Sequence, residues 1–295
     1  MATDFRSGYI SITGRPNVGK STLLNTILGQ KIAIVTDRPQ TTRNRILGIR
    51  TLPDAQMIFI DTPGIHNPKH LLGRRMVIAA REVLHEIDLI LFMTDSVRFL
   101  KQDEEILASL RSSEQPVFLV INKIDEIKKT ELPAIIREYS EIFSFAEVIP
   151  LSAKKQTNID LLLATIKKYI PLGPQYYPDD IVTDQIERFM ATEIIREKIM
   201  LKTSEEIPHS VAVEVLEWKE RENGVVAINA NIYVEREGQK GIIIGNKGKL
   251  LKMIGTNARI DIEKLLGTRV FLQLWVKVRP GWRDDKRALH ELGYN

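Results

Sequence analysis

The segment that most constrains the fold is an eight-residue loop near the start of the chain. It reads Gly14-Arg15-Pro16-Asn17-Val18-Gly19-Lys20-Ser21 and fits the pattern G-x-x-x-x-G-K-[ST]. The apolar stretch Tyr9–Thr13 precedes the loop, and a helical pattern over residues 21–28 follows it. A strand, a glycine-rich turn and a helix in this order predict a phosphate-binding loop in an α/β fold.

The residue types of this loop suit a nucleoside triphosphate. Gly14 and Gly19 let backbone N–H groups turn toward phosphate oxygens at a helix N-terminus, which favours anions. Lys20 is expected to reach the β- and γ-phosphates, and the Ser21 hydroxyl is expected to bind Mg²⁺. A plain glycine turn is the alternative, but the lysine, the serine and both flanks also match. Nucleotide contacts are expected from Gly14, Arg15, Pro16, Asn17, Val18, Gly19, Lys20, Ser21 and Thr22.

A second motif, Asp61-Thr62-Pro63-Gly64, follows the apolar strand Met57–Ile60. At the carboxyl end of a strand, Asp61 can hold the Mg²⁺ shell, and the N–H of Gly64 can sense a γ-phosphate. The string alone also spells an ordinary turn. After a phosphate loop it predicts further nucleotide contacts from Asp61, Thr62, Pro63 and Gly64.

A third motif selects the base. Asn122-Lys123-Ile124-Asp125 is the guanine-reading N-K-x-D, and it follows the apolar strand Val117–Ile121. The Asp125 carboxylate can accept from N1–H and from the N2 amine of guanine. Adenine lacks this pair of donors, so such a site can reject it by ~10⁴-fold. The guanine contacts are expected from Asn122, Lys123 and Asp125, backed on the other side of the base by Ser152, Ala153 and Lys154.

Together these motifs resemble the translation-factor-like small GTPases, and the chain is more closely similar to the Era family. The resemblance covers nearly the whole chain, and its most specific parts are residues 14–21, Pro39-Gln40-Thr41-Thr42-Arg43, Asp61–His66 and the C-terminal half. It implies a GTPase that uses GTP, GDP and Mg²⁺, in which Thr42, rather than Thr41, closes on Mg²⁺ in the GTP state. It assigns catalysis to Lys20, Thr42, Asp61 and Gly64, and Mg²⁺ to Ser21, Thr42 and Asp61.

The residue after Gly64 indicates a slow enzyme. Ras-like GTPases place a water-orienting glutamine there, whereas this chain has Ile65, whose alkyl chain cannot hydrogen-bond water. No residue stands out as an arginine finger, so intrinsic hydrolysis is expected at roughly 10⁻⁴–10⁻² s⁻¹. Relatives with asparagine at the position of Asn17 can use it to hold K⁺ in place of the finger's charge. Capping or hydrogen bonding of the loop by Asn17 remains the other interpretation.

The length of 295 residues favours two domains, and the stretch Pro171–Asp180 interrupts any regular element. We expect an α/β GTP-binding domain over residues 1–172, a linker over 173–182, and an α+β domain over 183–295 with a basic C-terminal tail. In the first, strands alternate with helices, which predicts a mostly parallel sheet covered on both faces. In the second, the order is helix, two strands, helical segments and a final strand.

Composition narrows the class of protein further. The chain has no cysteine, which excludes a disulfide framework, zinc-finger spacing and a thiol nucleophile. The N-terminus shows no signal-peptide pattern, and apolar runs such as Leu89–Met93 are far shorter than the roughly 20 residues that span a bilayer. We therefore expect a cytoplasmic monomer, with peripheral association at the inner face of the cell membrane left open.

Charge is distributed unevenly in the second half of the chain. Residues 179–237 hold seven Lys and Arg against fourteen Asp and Glu, whereas residues 240–287 hold twelve against four. This asymmetry predicts a basic surface near the C-terminus, where a phosphate backbone would be neutralised. A basic run is usually only a solvated face, but this one surrounds Gly245-Asn246-Lys247-Gly248, a G-x-x-G between helical segments.

The second half resembles a type II KH domain, in which a G-x-x-G loop clamps about four nucleotides of single strand. The resemblance implies RNA contacts from Gly245, Asn246, Lys247 and Gly248, with Lys249 and Lys252 as phosphate partners. Its implied partners are the 3′ end of 16S rRNA and the 30S ribosomal subunit. Two other hypotheses remain at this point: a membrane-associated signalling GTPase whose basic end binds anionic lipid, and an RNA-binding module whose nucleotide site is only structural.

Overall fold

The computed structural model describes residues 4–36, 38, 41–61, 70–82, 87–95, 99–128 and 130–294, without the side chains of residues 77 and 79–82. Contacts divide the chain into two units. The first holds residues 1–33, 42–67 and 76–184, and the second holds residues 34–41, 68–75 and 185–295. None of the described helices combines the length and the apolar composition that a membrane span requires.

The first unit is built on a six-stranded sheet in the order β2-β3-β1-β4-β5-β6, in which only β2 runs antiparallel to its neighbour. Its strands are β1 (Arg6–Gly14), β2 (Ile46–Leu52), β3 (Ala55–Asp61), β4 (Leu89–Asp95), β5 (Val117–Asn122) and β6 (Glu147–Pro150). The central strands are buried almost throughout, as expected of parallel strands that are covered on both faces. The predicted mostly parallel α/β sheet is confirmed.

Among the described residues, five helices alternate with these strands along the chain: α1 (Lys20–Leu28), α2 (Leu71–Glu82), α3 (Lys101–Leu110), α4 (Leu132–Ile142) and α5 (Ile159–Tyr169). The first five residues of α2 belong by contacts to the second unit. Strand order reverses at β1, which has β3 on one side and β4 on the other. The carboxyl ends of parallel strands at such a switch point form a crevice that binds ligands. Gly14, Asp61 and Asn122 are the last residues of β1, β3 and β5, so the three predicted motifs begin at this edge.

The segment expected to be a linker packs on the first unit instead of standing apart. Gln56, fully buried in β3, accepts from the backbone N–H groups of Tyr176 and Tyr177 at 2.8 and 2.9 Å, and donates to the Tyr177 carbonyl at 2.8 Å. The Val182 carbonyl accepts from Ile49 N–H at 2.8 Å. By contacts, the first unit therefore extends to residue 184, past the expected end at residue 172.

The second unit is an α+β domain around a three-stranded sheet in the order β7-β8-β9, with β7 antiparallel and β9 parallel to β8. Its elements are α6 (Glu187–Lys202), α7 (Ile207–Ser210), β7 (Ala212–Glu220), β8 (Val226–Val234), α8 (Glu237–Ile244), α9 (Lys249–Leu266), β9 (Val270–Val278) and α10 (Lys286–Glu291). Its core joins the inward residues of the sheet to α6 and α9. The predicted order of a helix, two strands, helical segments and a final strand is confirmed, and the short helices α7 and α10 are additions that the sequence did not predict.

Residues 34–36, 38 and 41, which precede Thr42, belong by contacts to this second unit. Arg196 in α6 is fully buried, is paired with Glu193, and donates to the backbone carbonyl of Thr41. Glu197 accepts from the N–H of Val35 at 3.0 Å. The guanidinium of Arg196 therefore has partners that compensate its burial.

Candidate functional site

The glycines of the phosphate loop lie where no side chain fits. Gly14 has φ 149° and Gly19 has φ 101°, both in the region that glycine adopts readily. A Cβ on Gly14 would lie 2.1 Å from the carbonyl oxygen of Met93, and one on Gly19 would lie 2.4 Å from Nδ2 of Asn122. The loop is therefore packed directly against the ends of β4 and β5, which requires glycine at both positions.

Lys20 is buried at the start of α1 and is held by the loop itself. Its Nζ donates to the carbonyls of Gly14 at 2.9 Å and Arg15 at 2.8 Å. Burial lowers the pKa of Lys20 to about 8, against the attraction of Asp61. Phosphate oxygens would favour the charged form, so the ammonium is placed to bind a polyphosphate.

Ser21, Thr42 and Asp61 converge on one point. The Ser21 hydroxyl donates to Oδ2 of Asp61 at 2.7 Å, and the Thr42 hydroxyl lies 3.1 Å from that of Ser21 and 3.3 Å from Oδ2 of Asp61. Oδ1 of Asp61 is buried and has no hydrogen-bond partner within the described part of the chain. Two hydroxyls and a carboxylate are oxygen ligands of the kind that Mg²⁺ takes, so these three residues fit the ion.

The structure separates the two threonines that the sequence left as alternatives for this role. Thr42 contacts Ser21 and Asp61, whereas the Thr41 hydroxyl donates to the Arg38 carbonyl at 2.6 Å. Burial raises the pKa of Asp61, although Lys20 and the two hydroxyls oppose the shift. A divalent cation would compensate this buried carboxylate.

Asn122 joins the base-reading segments to the phosphate loop. Its Nδ2 donates to the Val18 carbonyl at 2.8 Å, and its Oδ1 accepts from the N–H of Ala153 at 2.9 Å. Asp125 is exposed, and a hydrogen bond from Ser152 lowers its pKa. The ionised carboxylate is therefore accessible to a base. Because Asp125 is exposed, only a bound base can exclude water from this carboxylate. Adenine would then leave the carboxylate without a donor, which disfavours adenine.

Of the remaining residues predicted to contact the nucleotide, the structure describes Lys123, Lys154 and Asn17 but not those that directly follow Asp61. Lys123 has φ 61° and its Nζ lies 3.4 Å from Oδ2 of Asp95, while Lys154 is exposed. Asn17 is exposed with φ 65°, a conformation that asparagine tolerates better than most residues. Thr62, Pro63, Gly64 and Ile65 lie outside the described residues, as do Pro39 and Gln40.

The side chain of Arg15 binds two carboxylates of the protein, although the sequence predicted that Arg15 contacts the nucleotide. Its guanidinium donates to Oδ1 of Asp103 at 2.8 Å and to Oδ1 of Asp95 at 2.7 Å. These partners lie 88 and 80 residues further along the chain. Sequence reasoning missed Asp95 and Asp103, because no local pattern connects them to the loop.

The G-x-x-G segment of the second unit forms a tight left-handed turn between α8 and α9. Gly245, Lys247 and Gly248 have φ of 69°, 49° and 76°. A Cβ on Gly245 would lie 2.7 Å from that of Leu250, whereas one on Gly248 would meet nothing within 4 Å. The side chains of Asn246, Lys247, Lys249 and Lys252 are exposed.

A groove of about 370 Å³ begins at this turn, between α9 and β9. It is lined by Gly248, Leu251, Lys252, Gly255, Thr256, Arg259, Leu272 and Leu274. An apolar floor with basic groups at its rim suits bases that lie flat and a backbone that runs along lysines. Thr256 and Arg259 were not foreseen from the sequence, although they follow Lys252 at helical spacing.

Comparisons with known proteins match segments in both halves of the chain. The family model described as "50S ribosome-binding GTPase" matches residues 9–123, and the model described as "KH domain" matches residues 206–283. The GTPase Era of Clostridium kluyveri is 53% identical over 290 residues, which are 98% of this chain and 99% of that protein. The GTPase Era of Ruminiclostridium cellulolyticum is 52% identical over 291 residues, covering 98% of each.

Solved structures are similar over the same length. A variant of Aquifex aeolicus Era bound to GDP and AlF₄⁻ has a TM-score of 0.96 and 44% identity, covering 98% of this chain and 99% of that one. Era in complex with MgGDPNP and nucleotides 1506–1542 of 16S ribosomal RNA gives the same values. Because relatives that are more than half identical match almost its entire length, the chain belongs to the Era family of GTPases.

Proposed function

We propose that this GTPase is a GTP-controlled RNA-binding factor that holds the 3′ end of 16S rRNA and assists maturation of the small, 30S, ribosomal subunit. The main support is the turn at residues 245–248, which places exposed lysines beside an apolar groove. A relative of the same fold has been solved with nucleotides 1506–1542 of 16S ribosomal RNA, which supports this class of ligand.

Different residues shape the phosphate loop, bind the phosphates and bind Mg²⁺. Gly14 and Gly19 shape the loop around the phosphates, and Lys20 exchanges the carbonyls of Gly14 and Arg15 for phosphate oxygens. Ser21, Thr42 and Asp61 would hold Mg²⁺, which neutralises charge on the β- and γ-phosphates. Thr42 would contribute its hydroxyl to this ion when GTP is bound, and loss of the γ-phosphate would weaken that contact.

Nucleotide control of RNA and subunit binding is part of the proposal. A ligand shifts an equilibrium only through different affinities for two states. We expect the protein to co-sediment with 30S subunits more completely with a non-hydrolysable GTP analogue than with GDP. Equal co-sedimentation in both nucleotides, at matched occupancy of the nucleotide site, would contradict the switch.

A K⁺ ion at Asn17 is a further part of the proposal. The exposed side chain of Asn17 lies in the phosphate loop, and a cation there would supply charge that an arginine finger provides elsewhere. We expect faster GTP hydrolysis in K⁺ than in Na⁺ at fixed ionic strength, and loss of that difference in Asn17→Asp. Equal rates in the two salts would show that Asn17 only supports the loop conformation.

We place the protein in the cytoplasm as a monomer and give membrane binding a secondary role. A lipid-binding surface does not require a G-x-x-G turn, so the presence of this turn counts against the signalling alternative. Weak peripheral association through the exposed lysines of α9 is the form that membrane contact would take. Anionic liposomes that compete with RNA for the protein would favour it, and liposomes without effect would remove it.

A further inference from the structure

A buried polar network connects the phosphate loop to the guanine-reading motif inside the first unit. Its centre is Arg15, whose side chain is 9% exposed and carries two ion pairs. Asp95 ends β4, and Asp103 lies in the first turn of α3 and is fully buried. A guanidinium with two carboxylates in so little solvent is held in one geometry, because any movement away from either carboxylate would break a largely buried ion pair.

Each carboxylate is itself fixed by a second group. Oδ2 of Asp103 accepts from the hydroxyl of Tyr139 at 3.0 Å and from the N–H of Leu100 at 3.0 Å. The Tyr139 hydroxyl also lies 2.7 Å from that of Thr94. Burial raises the pKa of Tyr139, with Asp103 adding to the shift, so its hydroxyl remains a neutral donor.

Asp95 extends the network to the base. Its Oδ1 accepts from Arg15 at 2.7 Å, and its Oδ2 lies 3.4 Å from Nζ of Lys123, the lysine of N-K-x-D. At the other end, the Arg15 carbonyl accepts from Lys20 at 2.8 Å. One residue of the phosphate loop thus contacts the phosphate-binding lysine through its backbone and, through Asp95, the lysine that accompanies guanine recognition.

We propose that Asp103 and Asp95 are positioning residues of the GTP site: they hold Arg15 so that the phosphate loop and the guanine-reading segment keep the spacing that one nucleotide spans. Neither carboxylate is a nucleotide ligand. They act through Arg15 and Lys123. The side chain of Arg15 therefore serves the site from the protein side of the loop and is not a phosphate ligand.

The test is a double-mutant cycle on nucleotide affinity with Arg15→Gln, Asp103→Asn and the double variant. Each single change is expected to raise the Kd for GDP and for GTP by roughly tenfold, because each breaks the buried ion pair between Arg15 and Asp103. The double variant is expected to lose much less than the product of the two, because the residues act as one unit. Losses that multiply would overturn the proposal.

Two further variants distinguish a positioning role from a general loss of thermal stability. Tyr139→Phe removes only the hydroxyl that supports Asp103, so it is expected to weaken GDP binding in the same direction with less effect on folding. Ile106→Val removes a methyl group from the buried apolar face of α3 and leaves the ion pairs intact. If Ile106→Val loses as much GDP affinity as Asp103→Asn at equal loss of thermal stability, the network is merely structural.

Asp95→Asn tests the connection to the base. It keeps the size of the side chain and removes the charge that Arg15 and Lys123 share. The proposal predicts weaker binding of GDP together with a smaller preference for GDP over IDP, which lacks the N2 amine. An unchanged GDP Kd, or a loss that leaves the ratio of the two affinities untouched, would contradict a bridging role.

Discussion

The side-chain amide of Asn122 donates a hydrogen bond of 2.8 Å to the backbone carbonyl of Val18. The same side chain accepts from Ala153 N–H, so one residue connects the three segments expected to surround the nucleotide. Since Asn122 is nearly fully buried, its amide cannot exchange these partners for water. Its first role is therefore to position the loops of the site.

Asn122→Asp is expected to weaken GDP binding by roughly tenfold or more, because a carboxylate would face the Val18 carbonyl with no proton to donate. The measurement is the Kd of a fluorescent GDP analogue. Asn158→Asp is the matched control, since Asn158 also donates to a carbonyl, that of Pro150 at 2.8 Å, but on an exposed loop. Equal losses in the two variants would contradict the positioning role.

Asp125→Asn is expected to exchange guanine for xanthine. Xanthine carries an oxygen where guanine carries its N2 amine, so an amide N–H at position 125 complements it while GDP loses an acceptor. Competition binding should show XDP preferred over GDP, with GDP affinity reduced by roughly 10²-fold or more. Asp160→Asn, on the exposed side of α5, should leave both affinities as they are. Retention of GDP preference in Asp125→Asn would show that Asp125 does not read the base.

Nucleotide binding is expected to take up a proton at alkaline pH. The pKa of Lys20 in the free protein is lowered to about 8, so at a pH about half a unit higher most of these amines are neutral. Phosphates favour the charged amine and raise its pKa, so GDP affinity should fall as the pH rises through about 8. Calorimetry in buffers of different ionisation enthalpy measures the uptake. The Lys20→Gln variant should lack it, and equal uptake in that variant would assign the proton to another group.

Gly245 and Gly248, the two glycines of the G-x-x-G turn, are expected to tolerate alanine unequally. At Gly248 the cost is the left-handed backbone alone, about 1 kcal/mol. At Gly245 the added Cβ would also lie 2.7 Å from Cβ of Leu250, so a cost of about 3 kcal/mol is expected. Urea unfolding of the two variants gives the comparison. Equal destabilisation would show that the packing of Gly245 against Leu250 does not limit this position.

RNA binding is expected to depend on Lys252 through its charge. Lys252→Glu should weaken binding of single-stranded RNA. It should also lower the magnitude of the salt slope, d log K/d log [salt], by about 0.7, because one phosphate is no longer neutralised. Lys264→Glu is the control, because Lys264 is exposed on the same helix but does not line the groove. Similar slopes in the two variants would place the phosphate path elsewhere.

How well a feature could be predicted from the sequence depends on how far apart along the chain its interacting residues lie. The phosphate loop and N-K-x-D were predictable because each is a short string at the end of an apolar strand, where a parallel sheet brings such ends together. The role of Arg15 was not, because its carboxylate partners lie 80 and 88 residues away and nothing local marks them. The packing of residues 173–182 was missed for the same reason, since it depends on the buried amide of Gln56.

Control of RNA affinity by GTP can be measured in a single titration. A short RNA that copies the 3′ end of 16S rRNA is titrated with the protein bound to GDP or to a non-hydrolysable GTP analogue, in the wild type and in Lys252→Glu. We expect tighter binding in the GTP-like state and weaker binding in the variant. Weak binding that ignores sequence, nucleotide and the substitution would contradict it.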